Sequence, residues 1–175
     1  MDMVIFIAGA SHTGKTYLAQ RLLETLHYPY LSLDHLKMGL IRSGQTKLTV
    51  FDDDKLTGYL WPIVREMVKT AIENGQNLIV EGCYIPFDWR KDFDERYLAH
   101  IQCRWLIMSR EYIERHFGEI RDKANVVEQR LDDSELNAQA LIRENERNRE
   151  MCERFGCAYT LIDGAYEIDL SVFGQ

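Results

Sequence analysis

Gly9-Ala10-Ser11-His12-Thr13-Gly14-Lys15-Thr16 sets two glycines, a lysine and a hydroxyl in the pattern G-x-x-x-x-G-K-[ST]. Each fixed residue has a chemical reason. The glycines let the backbone curl until its N–H groups converge on anionic oxygens, and a helix starting at the end of the loop adds positive potential there. Lys15 is then placed to hold β- and γ-phosphates, and the Thr16 hydroxyl to bind Mg²⁺. At average residue usage the four fixed positions match by chance in about one chain in two hundred of this length.

Two acids follow apolar runs further along. Asp34, in Leu31-Ser32-Leu33-Asp34-His35-Leu36-Lys37, can accept the proton of an acceptor hydroxyl, hold a magnesium-bound water, or simply cap a helix. Lys37 lies one helical turn beyond, on the same face, and is a candidate anchor for an anionic acceptor. Glu81 ends Leu78-Ile79-Val80-Glu81-Gly82, an apolar strand delivering an acid beside the phosphate loop, where a contact to a magnesium-bound water or to the acceptor is expected. After it, Cys83 to Arg90 is aromatic with one arginine, so Tyr84 and Trp89 could stack on an acceptor and Arg90 hold its phosphate, unless the aromatics are core. Asp52-Asp53-Asp54 reads as a solvated helix start favoured by the macrodipole. Arginines at 110, 115, 121 and 130 surround a polar stretch, and mobile arginines closing over a moving phosphoryl group would neutralise its charge; Arg115 and Arg121 are the first candidates.

The elements that must position these residues alternate. Met3 to Ala8 is a continuous apolar run, the pattern of a strand covered on both faces and so of the central parallel strand. Thr16 to Leu26 repeats leucine and alanine at a helical period. Tyr28 to Leu33 predicts a second strand, followed by a helix from Asp34 to about Gly44. Leu56, Leu60, Ile63, Val64, Met67, Val68 and Ile72 form a helical stripe that Pro62 should kink or restart. Asn77 to Glu81, Ile101 to Met108 and Ala158 to Ile162 complete the strands. Ser109 predicts an N-cap for a helix to about Phe117, residues 118–131 a lid, and Asp132 with Glu135 a capping box opening a long helix to about Phe155. Strands alternating with helices imply one α/β domain over 1–175: a three-layer fold with a five-stranded parallel sheet, helices on both faces and a helical lid. The ligand crevice then lies at the carboxyl ends of the strands.

Composition sets the boundaries. With 46% hydrophobic and 28% charged residues the chain is an ordinary globular sequence. Its net charge of −7 supplies no positive field for nucleic acid or an anionic membrane. Asp2 and a short apolar run at the start argue against a signal or spanning segment, so a cytoplasmic location is expected. The four cysteines form no C-x-x-C pair and read as reduced thiols.

With these motifs, the chain resembles the P-loop small-molecule kinases, particularly the adenylate-kinase-like group and the zeta-toxin-type kinases. The likeness rests on Gly9 to Thr16, Ser32 to Lys37, Ile79 to Gly82, Ser109 to Arg121, and Leu161 to Ala165. It implies ATP and Mg²⁺ as cofactors and transfer of the γ-phosphoryl group to a small molecule, either a nucleotide, a nucleoside or a phosphorylated metabolite. It also implies lid arginines after strand four and places Gly164 and Ala165 near the adenine. Where adenylate kinases hold AMP with Gly-x-Pro-Arg, this chain has Gly82-Cys83-Tyr84-Ile85-Pro86, which argues against AMP, and the absence of a Cys-rich lid argues against structural zinc. Two rivals stand beside this reading: a slowly hydrolysing nucleotide-binding switch, and a toxin-like kinase acting with a protein partner. The guanine-specifying Asn-Lys-x-Asp element of GTPase switches is missing from the sequence.

Overall fold

Six consecutive apolar or small residues, Val4–Gly9, form β1, and every one of them is buried. Burial on both faces requires neighbours on both sides: the computed structural model, which describes residues 3–123 and 137–173, places β1 at the centre of a five-stranded sheet. The order is β2-β3-β1-β4-β5, with β2 Tyr30–Ser32, β3 Leu78–Gly82, β4 Ile101–Met108 and β5 Tyr159–Ile162. All pairings are parallel, so the connections are crossovers and the five carboxyl ends open on one edge.

The period-2 alternation along β1 divides the core. Val4, Phe6 and Ala8 face one cluster, filled by Leu56, Leu60, Val64 and Val68 of α3 (Asp53–Glu73) and by Leu33, which opens α2 (Leu33–Arg42). Phe6 meets Trp61 and Trp89 edge-on, with ring centroids 5.8 and 5.2 Å apart. Ile5 and Ile7 face the other cluster, built from Leu18, Ala19 and Leu22 of α1 (Lys15–Leu26), Ile113 and Ile120 of α5 (Arg110–Lys123), and Leu141 and Ile142 of α6 (Ala138–Phe155). The result is the three-layer arrangement expected from the alternation of elements. A short helix, α4 (Glu95–Leu98), precedes β4.

Several boundaries differ from the sequence reading, each for a packing reason. Pro62 lies within one continuous helix on an exposed position of α3, and Trp61, rather than the expected Met67, fills the apolar stripe. The expected lid is partly helix: α5 runs through residue 123 because Ile113, Phe117 and Ile120 continue one apolar face past Gly118. Residues 124–131 of that lid, and the Asp132–Glu135 capping box, lie outside the described residues. The long helix opens at Asn137, whose side chain accepts from the amides of Gln139 and Ala140. Ser109 caps α5 as expected, its Oγ accepting from the Tyr112 amide at 3.0 Å. Among the described residues no helix is long and apolar enough to cross a membrane, and the four cysteines are free thiols.

Candidate active site

The turn from β1 into α1 is shaped by backbone geometry that side chains resist. Gly9 has φ +145°, and a Cβ there would come within 2.5 Å of the Leu106 carbonyl oxygen. Gly14 has φ +81°, and a Cβ would meet the Tyr166 hydroxyl at 2.0 Å. Thr13 Oγ1 and Lys15 Nζ both donate to the Ala10 carbonyl, at 2.9 and 2.6 Å. Lys15 is 5% exposed, its ammonium held inside the loop it would use to grip phosphate. From the far end of the chain, the Tyr166 hydroxyl donates to the Thr13 carbonyl at 2.9 Å. Tyr166 follows Gly164 and Ala165, so the segment after β5 is carried to the phosphate loop, with both of those residues exposed.

The carboxyl edge of the sheet supplies the opposite wall. Glu81, 1% exposed, sits near the end of β3 in register with Ile7 on one side and Ser32 on the other. Cys83 follows it, its Sγ 3.8 Å from Ser11 Oγ. Asp34, in the first turn of α2, pairs with Lys37 at 2.6 Å. Lys37 also donates to the Tyr84 hydroxyl at 3.0 Å, and Tyr84 donates to Asp53 Oδ1 at 2.7 Å. Burial, then the Asp53 carboxylate, push the Tyr84 phenol well above its usual pKa, so it stays a neutral donor. Asp34, Lys37, Tyr84 and Asp53 therefore form one polar chain joining α2, the exit of β3 and the start of α3.

A further acid reaches the loop from α6. Asn145, 1% exposed, accepts from the Met108 amide at 2.8 Å and donates to the Leu141 carbonyl at 2.9 Å, fixing α6 against the exit of β4. The preceding residue, Glu144, is exposed on α6, with its carboxyl close enough to the phosphate loop to feel that loop's charges. Desolvation there raises its pKa, as does Asp53, against the pull of Lys15, the Ser11 amide and Arg147. An acid that feels both the Ser11 amide and Lys15 adds negative charge beside the loop's cation. Replacing Glu144 by Gln should therefore tighten binding of a non-hydrolysable ATP analogue at least threefold by titration calorimetry, since one negative charge is removed from the anion's neighbourhood. Weaker binding would show that Glu144 serves the nucleotide.

The structure brings together the phosphate loop, Asp34, Lys37, Glu81 and Tyr84. It does not bring Arg90, whose guanidinium lies 4.9 Å over the Trp89 ring and acts electrostatically on Cys103, mid-sheet beside Phe6, and on Cys157 before β5. Trp89 is core against Phe6, because the turn after Pro86 directs it under the sheet rather than into the crevice. Arg115 and Arg121 are exposed on α5, Arg121 facing Asp122 at 3.5 Å, and neither bonds to a phosphate-loop residue. The residues missed are Asp53, Glu144 and Tyr166. The acidic run gave only a helix start, and no spacing signal linked residue 144 or 166 to residues 11–14. Among the described residues no three or more of His, Cys, Asp and Glu are grouped to hold a metal ion.

A parallel sheet whose central strand feeds a glycine-lysine phosphate loop, with an acid at the exit of each neighbouring strand on one side, defines a P-loop kinase-type fold. The family model described as AAA domain matches residues 4–141. The chain belongs to that family. No curated protein matches it by sequence. Among solved structures it is similar to shikimate kinase from Acinetobacter baumannii in complex with shikimate (TM-score 0.54, 18% identity, covering 95% of this chain and 86% of that one). It is also similar to shikimate kinase from Bacteroides thetaiotaomicron (TM-score 0.53, 16% identity, 92% and 86% covered). A third is a structure of the PezAT chromosomal toxin-antitoxin system of Streptococcus pneumoniae (TM-score 0.54, 13% identity, 93% and 67% covered). At these identities the likeness establishes the fold.

Proposed function

We propose that this protein transfers the γ-phosphoryl group of ATP, with Mg²⁺, to a hydroxyl of a small molecule. The observation that carries the reading is the placement of Asp34 and its partners across the strand ends from Lys15 and the phosphate-loop amides. Phosphoryl transfer asks little covalent chemistry of a protein and much positioning, and a two-walled crevice supplies that. The loop amides and Lys15 would hold the phosphates, with Lys15 turning from the Ala10 carbonyl to do so. The Thr16 hydroxyl and the Glu81 carboxylate are hard oxygen donors of the kind Mg²⁺ accepts, and a site without an all-protein cage suits an ion that keeps several waters. Mg²⁺ supplies neutralisation of charge on the phosphates. Asp34 would orient the acceptor hydroxyl or take its proton. Gly164 and Ala165 belong to the segment that would pass the base.

ATP consumption by the purified protein should be slow with Mg²⁺ alone and rise at least tenfold with one member of a panel of hydroxyl-bearing metabolites, with phosphorylated product appearing in step with ADP. ADP and free phosphate formed at one rate whatever is added would favour the hydrolysing switch. The toxin-like alternative is supported by the fold shared with the PezAT structure.

A further inference from the structure

The charge in the acceptor wall narrows the acceptor's chemistry; this inference rests on the kinase reading above. Lys37 was the cation available to hold an anionic acceptor, and its ammonium is already committed. It pairs with Asp34 at 2.6 Å, donates to Tyr84 at 3.0 Å and lies 5.0 Å from the centre of the Tyr84 ring, with the side chain 14% exposed. The second candidate cation, Arg90, stacks on Trp89 away from the crevice. In their place stands Asp53, exposed at the start of α3 and bonded to the Tyr84 hydroxyl at 2.7 Å. Among the described residues, the two carboxylates and one ammonium of the hydrogen-bonded chain from Asp34 to Asp53 sum to −1, and Glu144 lies within electrostatic reach of Asp53. A phosphate or carboxylate entering here would have to displace a carboxylate from Lys37 while facing the remaining acids. A hydroxyl or an ammonium meets acceptors already spaced to receive its hydrogens.

We propose that the acceptor is a hydroxyl compound with no anionic group, a neutral polyol or an amino alcohol. Asp53 and Asp34 accept its hydrogens, and Tyr84 sets the spacing between them. In the transfer, the acceptor oxygen forms its bond to the γ-phosphorus as the bond from that phosphorus to the β,γ-bridging oxygen breaks. ADP leaves with that oxygen, and the hydroxyl proton passes through Asp34 to solvent.

The test uses the full chain with Mg²⁺ and γ-labelled ATP on matched pairs: a hexose and its 6-phosphate, an amino sugar and its 6-phosphate, a nucleoside and its 5′-monophosphate. Binding of each compound is measured in parallel with a non-hydrolysable ATP analogue present. The unphosphorylated members should be phosphorylated with at least tenfold higher kcat/KM, the hexose and amino-sugar arms separating polyol from amino alcohol. Asp53→Asn should raise the acceptor KM at least tenfold while the KM for ATP stays within twofold, a split that a merely structural role for Asp53 would not produce. Preferred transfer to, or tighter binding of, the phosphorylated members overturns the proposal and leaves the kinase reading standing. If the ATP analogue binds but no compound binds or is phosphorylated, the kinase reading itself fails and the proposal with it.

Discussion

Replacing Lys15 with Ala should reduce ATP turnover by about 10²- to 10³-fold while the protein remains folded. The size follows from removing the loop's cation from phosphate oxygens that gain charge during transfer, a contact for which losses of about 10²- to 10³-fold are typical of a single donor. The folding half follows from the structure. Lys15 donates to the Ala10 carbonyl, and that carbonyl also accepts from Thr13 Oγ1, so the substitution leaves it with a partner in the buried loop. Circular dichroism and thermal melts should overlay those of the parent, while the rate of ADP formation collapses. Retention of most turnover would refute the assignment of the phosphate loop.

The second large effect is expected at Asp34. Asp34→Asn keeps the shape and removes the charge, so turnover should fall by about 10²-fold or more, the scale of general acid–base and orienting catalysis. Affinity for ATP should change less than threefold, because Asp34 stands on the acceptor side of the crevice. The substitution also leaves the Lys37 ammonium with Tyr84 as its remaining partner at hydrogen-bond distance, so a modest loss of stability accompanies it. Steady-state kinetics paired with equilibrium nucleotide binding make the distinction. Parallel losses in ATP affinity and turnover would assign Asp34 to metal binding or to structure.

What the sequence displays and what it hides divide along the range of the interactions. The phosphate loop is legible because its function is local: eight consecutive residues bend one turn, and both glycines are demanded by the chain's own path. β1 is legible for a related reason, since burial on both faces leaves six apolar or small residues in a row. Asp34, Lys37 and Glu81 are legible through their place after a strand, which parallel topology converts into a place in the crevice. Asp53 is not, because its part depends on a hydrogen bond from Tyr84, 31 positions away, that no periodicity encodes. Arg90 and Trp89 show where the same rule stops. They follow a strand that does end in the crevice, but the turn after Pro86 leads the chain back over the sheet, and an aromatic beside Phe6 gains more from the core than from solvent. Glu144 is hidden behind a helix start that the polar sequence before it places too early; with Asn137 as the true cap, the buried Asn145 fixes which face of α6 meets the loop.

The hydrogen bond from Tyr166 to Thr13 joins residues 153 positions apart. During synthesis the phosphate loop leaves the ribosome 153 residues ahead of the tyrosine that covers it. β5 must pair with β4 before Tyr166 can reach the Gly14 backbone. A nascent chain therefore carries the whole motif through the synthesis of those intervening residues without a finished wall over the loop, and that wall closes only once the strand at the sheet's far edge has docked.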